Sequence, residues 1–124
     1  MTEYVKTICF DFDGVIHSYI SGWQGAENIP DAPVKGIKEV IDKLRETGNR
    51  VVIQSSRAQT EAGKQAIIKY LNKNNIIVDD VTSQKPAAFV YIDDRGLSFN
   101  GNTDGLFEAI INFKSWQEKL KENK

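Results

Sequence analysis

Two aspartates, Asp11 and Asp13, close the first strongly apolar stretch of the chain and run directly into Gly14 and Val15. Carboxylates that close repel, so one of them must hold a proton or a cation must neutralise both. If the strand continues, the two-residue spacing points both side chains to the same side. A pair so placed suits attack by one carboxylate with proton transfer by the other. A second acidic pair, Asp93 and Asp94, stands near the end of the chain and is followed by Arg95. Ser55, Ser56 and Arg57 follow the second apolar run, and Lys85 precedes the second acidic pair.

These residues need elements to hold them. Residues 5–10 are nearly all apolar with a β-branched and aromatic bias, the pattern of a strand covered on both faces. Further strands are expected at 51–55, 76–81 and 89–92. Asp31 and Pro33 suit the start of a helix over 33–47, with Val34, Ile37, Ile41 and Leu44 at helical spacing and Gly48 as its stop. Thr60 suits the cap of a second helix whose apolar face is Ile67, Ile68 and Leu71, ending near Asn74 and Asn75. Asn100-Gly101 marks a tight turn, expected in a small hairpin over 97–103. Asp104 suits the cap of a last helix carrying Leu106, Ile110 and Phe113, or Phe107, Ile111 and Trp116. The polar tail after Lys119 is expected to fray, and the Lys/Glu alternation after Trp116 to be a solvated face.

Strands alternating with helices predict an α/β three-layer sandwich around a mainly parallel sheet. Ligands of such sheets bind at the carboxyl ends of the strands. Asp11, Asp13, Ser55, Ser56, Arg57, Asp93 and Asp94 all sit there. Several carboxylates in one crevice call for a divalent cation, and oxygen ligands favour Mg²⁺ over zinc in a chain with one histidine and one cysteine. Mg²⁺, a hydroxyl and a lysine are also what a phosphoryl group requires.

At 124 residues the chain is expected to form a single domain over 1–124. A formal net charge of -1 gives no bulk reason to expect nucleic acid or an anionic membrane as partner. Cys9, the lone cysteine, excludes an internal disulfide and reads as core. The 1–4 start lacks the basic and apolar regions of a signal peptide, and no stretch is long enough to span a bilayer. The expected location is cytoplasmic, without membrane contact.

Asp11-Phe12-Asp13-Gly14-Val15 resembles the first motif of the haloacid dehalogenase (HAD-like) superfamily. The run 51–55 is similar to its second motif, Lys85 to its third, and Ile92-Asp93-Asp94 to its fourth, in the family's order along the chain. The resemblance implies a Rossmann-like core of strand order 5-4-1-2-3 or a shortened version. It also implies a phosphohydrolase (phosphatase) with Asp11 as nucleophile, forming an aspartyl-phosphate, and Asp13 as general acid and base. Ser55 and Lys85 would hold the phosphoryl group; Asp11, a backbone carbonyl of Asp13 and Asp93 would hold Mg²⁺, with Asp94 either a direct ligand or a group behind the ligands. Lys85 stands nearer the fourth motif than in many members, with Lys64 as the fallback.

The intervals between motifs leave no room for the cap domain that many members carry. The loop over 17–32 is therefore expected to be the flap over the site. His17, Tyr19 and Trp23 on that loop, with Gly14, Ser56 and Arg57, are candidates for substrate contact. Capless members act on large substrates or close their sites by forming homo-oligomers. Three functions compete: a phosphatase for a phosphorylated small molecule or nucleotide, one for phosphorylated nucleic-acid ends, and a non-enzymatic phospho-receiver or binding domain. The last is disfavoured by motif order and by Asp13, since a receiver must preserve its acyl phosphate.

Overall fold

The structure is a computed structural model that describes residues 5–122. The 1–4 start, read above for a leader, lies outside the described residues. Strands β1 (Thr7–Asp11), β2 (Arg50–Gln54), β3 (Asp80–Thr82) and β4 (Val90–Ile92) form one parallel sheet in the order β3-β2-β1-β4. That is the expected α/β architecture, in a shortened strand order with β1 inside the sheet. Helix α1 (Ile37–Glu46) joins β1 to β2, and α2 (Glu61–Lys73) joins β2 to β3. After β4 come α3 (Leu106–Ile111) and α4 (Trp116–Glu122). Among the described residues no helix is long and apolar enough to cross a membrane.

The core explains why the carboxyl ends of β1 and β2 are well fixed. Ile8, Cys9 and Phe10 of β1 and Val51, Val52 and Ile53 of β2 are buried, and Ile41 of α1 and Ile67 and Leu71 of α2 close over the sheet. Burying one such aliphatic side chain contributes roughly 1.5–3 kcal/mol. Thr60 caps α2 as expected, accepting from the Gly63 N–H at 3.1 Å. Gly63 itself must be glycine, because a Cβ there would meet the Arg57 carbonyl oxygen at 1.9 Å.

Five expectations are corrected. Helix α1 begins at Ile37, not at Pro33, because residues 31–34 close the neck of the preceding loop instead. There Ser18 N–H donates to Ala32 O, Val34 N–H donates to Ile16 O, and Asp31 accepts from both the N–H and the hydroxyl of Ser21. Strand β3 spans Asp80–Thr82 rather than 76–81: Ile76 enters the core and Asp79 accepts the Val51 N–H at 2.7 Å. The hairpin over 97–103 is a turn without paired strands, since Leu97 and Phe99 are exposed and bury no face that would hold a hairpin together. The last helix is two: α3 starts after Gly105 without a cap from Asp104, and α4 starts after Ser115. Helix α4 continues through Glu122, past the point where fraying was expected, and 123–124 lie outside the described residues.

Candidate active site

The register of the sheet assembles the acidic cluster. Phe10 pairs with Ile92, so the next residues on the adjacent strands, Asp11 and Asp93, emerge side by side at the carboxyl edge. One carboxylate oxygen from each of Asp11, Asp93 and Asp94 lies within 4.8 Å of the others. Octahedral Mg²⁺ holds its ligand oxygens roughly 3–4 Å apart. Asp94 Oδ1 is buried with no hydrogen-bond partner, so one oxygen of the cluster has its desolvation uncompensated. The donor set and this orphaned oxygen fit a hard divalent cation. Without one, burial, then the Asp93 charge, with Asp94 adding to it, push the Asp11 carboxyl up to about 8, against the N–H of Phe12 that Asp11 accepts at 2.9 Å.

Asp13 meets the opposite surroundings. After Asp11 the chain folds into a tight turn in which Phe12 O accepts from the N–H groups of Ile16 and His17, and Gly14 takes φ +84°. The turn brings His17 Nδ1 to 2.9 Å from Asp13 Oδ1. His17 Nε2 accepts the Asp31 N–H at 3.0 Å, so the ring carries its proton on Nδ1 and donates it to Asp13. Arg57 Nε donates to Asp13 Oδ2 at 2.9 Å and to Oδ1 at 3.2 Å. Burial would push the Asp13 carboxyl up, but the hydrogen bonds from His17 and Arg57 and the charge of Arg57 outweigh it and hold it below the usual carboxylate range.

For Arg57 the sequence supports two readings equally, holding a substrate anion or forming a salt bridge, and the structure shows the second, placing it inside the protein on Asp13. Its side chain is buried, and Nη1 donates to the carbonyls of Gly25, Ala26 and Asn28 at 2.8–3.2 Å. The residue thus clamps the 17–32 loop to Asp13. His17 is fully buried as well, among Phe12, Tyr19 and Tyr70, and serves the same junction. Tyr70 supports it from α2, donating its hydroxyl to Asp31 O at 2.9 Å.

A cleft of about 370 Å³ opens over these groups, lined by Asp11, Asp13, Ser55, Ser56 and Asp94, with Tyr19 and Trp23 from the loop. Ser55 is buried and its Oγ accepts the Arg57 N–H at 3.2 Å, which leaves its own O–H to donate into the cleft. Lys85 is not brought to this lining; its ammonium lies 4.3 Å from the ring centroid of Tyr91. Lys64 borders a different cavity, beside β3. Cys9 is buried, and burial followed by the Asp11 charge pushes its thiol up, in keeping with a core residue.

The Lys and Glu residues of α4 are exposed, as their alternation implies, and the helix also brings Ser115, Gln117, Glu118 and Lys121 to the lining of the cleft. Trp116 Nε1 donates to Gly14 O at 2.7 Å, and Gln117 Nε2 donates to Asp94 Oδ2 at 3.2 Å. Gly14 lies so close beneath this contact that a Cβ would meet Asp94 Oδ2 at 2.0 Å and Gln117 Nε2 at 2.6 Å. The sequence does carry a signal for this helix. Ser115 and Glu118 form a capping box, with Ser115 Oγ accepting the Glu118 N–H and Glu118 Oε1 accepting from Ser115.

No protein-family model matches the chain, and no curated protein matches it in sequence. Solved structures resemble it in fold. A conserved protein from Bacteroides thetaiotaomicron superposes with a TM-score of 0.58 at 20% identity, over 94% of this chain and 98% of that one. Two structures of a Pnkp1/Rnl/Hen1 complex, one titled an RNA repair complex, match with a TM-score of 0.53 at 16% identity, over 91% of this chain. The chain spans 36% and 33% of those two chains. At these identities the likeness is one of fold.

Proposed function

We propose that the chain is a Mg²⁺-dependent phosphohydrolase of the haloacid dehalogenase type, working on phosphomonoesters through an aspartyl-phosphate. The observation that carries this reading is the convergence of Asp11, Asp93 and Asp94 within 4.8 Å at the ends of neighbouring parallel strands, with Asp13 and Ser55 in the same cleft. Asp11, Asp93 and Asp94 would hold Mg²⁺, together with the Asp13 carbonyl. Bound there, the cation would supply positive charge to the ionised Asp11 and to the phosphoryl oxygens.

In this reading an Asp11 oxygen attacks phosphorus in line, and the bond from phosphorus to the ester oxygen breaks. Asp13 gives its proton to the departing oxygen, then takes one from the water that attacks the aspartyl-phosphate, freeing Asp11 and inorganic phosphate. The acid step requires Asp13, held ionised by His17 and Arg57, to take up a proton from solvent as the substrate binds; a phosphoryl group beside it would oppose the Arg57 charge and favour that uptake. Ser55 donates its hydroxyl to a phosphoryl oxygen. Lys85, exposed and outside the cleft lining, would have to leave Tyr91 to join. A receiver domain would have no use for an acid–base group set this firmly in the same cleft.

The fold likeness to chains of an RNA repair complex agrees with a nucleic-acid-related substrate. The test is hydrolysis of glycerol phosphate, nucleoside monophosphates and terminally phosphorylated oligonucleotides, with Mg²⁺ and with EDTA. The reading predicts Mg²⁺-dependent release of phosphate that Asp11→Asn abolishes. Equal release by wild type and Asp11→Asn would overturn it.

A further inference from the structure

Trp23 is held in an unusual way for a surface residue. It is 55% exposed, lines the cleft, and has the guanidinium carbon of Arg57 4.7 Å from its ring centroid. Arg57 is 1% exposed and anchored by Asp13 and three loop carbonyls. The indole therefore has one face seated on a fixed cation, while its exposed surface faces solvent at the cleft. Core packing does not explain this placement, because so much of the ring stays in water. Tyr19 lines the same cleft with φ +60°, a conformation that costs a bulky residue energy and sets the side chain in place.

The cations of the cleft add a second, independent feature. Arg95 and Lys121 line it from the segment after β4 and from α4. Among the described residues neither is within 4 Å of a carboxylate partner, whereas Lys38, Arg45, Arg50, Arg57 and Lys114 are. In a chain of net charge -1 these two are not a spill-over from a generally basic surface. An aromatic platform beside unpaired cations is the arrangement that binds a nucleobase by stacking and its neighbouring phosphates by charge.

We infer that the cleft takes a phosphomonoester whose leaving group carries a nucleobase, stacked on the open face of Trp23, with Arg95 and Lys121 drawing the adjoining phosphates of a nucleic-acid strand. This rests on the phosphohydrolase reading for the site of the terminal phosphate. The stacking itself does not depend on turnover.

The experiment measures binding of a dye-labelled, terminally phosphorylated single-stranded oligonucleotide by fluorescence anisotropy. The protein is the full chain carrying Asp11→Asn, so that the end survives. Adding Trp23→Leu, which keeps bulk over Arg57, is expected to weaken binding about tenfold or more, and Trp23→Phe to restore most of it. Arg95→Ala and Lys121→Ala should each lower the slope of log affinity against log salt by about 0.7. A nucleoside monophosphate should compete weakly and with little salt dependence; competition equal to that of the strand would restrict the inference to free nucleotides and overturn its strand part. Unchanged binding in Trp23→Leu, or tighter binding of a phosphotyrosine peptide, would overturn it altogether. The two readings fail separately. Wild type that hydrolyses glycerol phosphate but binds strands without regard to Trp23 sinks the base platform alone. Trp23-dependent strand binding without hydrolysis of any ester sinks the phosphohydrolase alone.

Discussion

Asp11 accepts one N–H, from Phe12, and otherwise faces the carboxylates of Asp93 and Asp94; Asp13, two residues on, accepts from Arg57 and His17. The order of the sheet accounts for the difference. Strand β4 lies on one side of β1 and ends in acids, while β2 lies on the other and runs into the turn that carries Arg57. Asp11 takes its neighbours from the first side and Asp13 from the second. A pair that is symmetrical in sequence is thus split into a group that wants a cation and a group that already has one. Such a split is how environments divide roles between like residues.

The largest break in this contrast is Asp11→Asn. On the proposed mechanism, in which Asp11 attacks phosphorus, this should lower turnover about a thousandfold or more. The same variant should melt higher than wild type in EDTA, because one of three facing carboxylates is gone; a lower melting temperature there would contradict the repulsion.

Next is Arg57→Ala, which strands Asp13 and frees the loop carbonyls. It should cost about 3–5 kcal/mol in urea unfolding. Combined with Asp13→Asn the loss should be smaller than the sum of the two, the sign of direct coupling.

Gln117→Ala tests the acid side from α4. With Asp94 released, Mg²⁺ affinity by calorimetry should fall about tenfold, while thermal stability in EDTA stays near that of wild type. Unchanged affinity would show that α4 only roofs the cleft.

The smallest effect belongs to Asp79, a paired carboxylate of Asp13's kind but remote from the cleft. Burial pushes it up, yet the Val51 N–H and Arg45 prevail and hold it below the ordinary 3.8. A depressed folded value contributes stability that is complete above the ordinary value and lost as pH falls through the folded one. Asp79→Asn should therefore cost about 1 kcal/mol near neutral pH and progressively less in acid, with turnover unchanged.

Part of this contrast was legible in the chain. Apolar runs ending in aspartate, serine and aspartate again mark strand ends by residue type alone, and parallel strands put their ends on one edge. The gathering of Asp11, Asp93 and Asp94 follows from that logic plus the register Phe10 to Ile92. The partner of Asp13 did not follow, because Arg57 lies 44 residues away and its local sequence offers a substrate anion and a salt bridge equally without indicating which carboxylate it meets. Helix α1 starts later than its sequence suggests for a similar reason: Asp31 and Pro33 carry good helix-start chemistry, but the loop neck uses their segment first.

What the sequence determined by itself was the set of reactive groups and the strands that end in them, since both are properties of short stretches. What only the tertiary structure decided was which side of β1 each group faces. That choice set Asp11 among acids and Asp13 on Arg57, and it returned α4 to the cleft through a bond spanning 102 residues, Trp116 to Gly14. Charge environment depends on neighbours in space, and in a parallel sheet those neighbours come from crossovers rather than from adjacent positions in the chain.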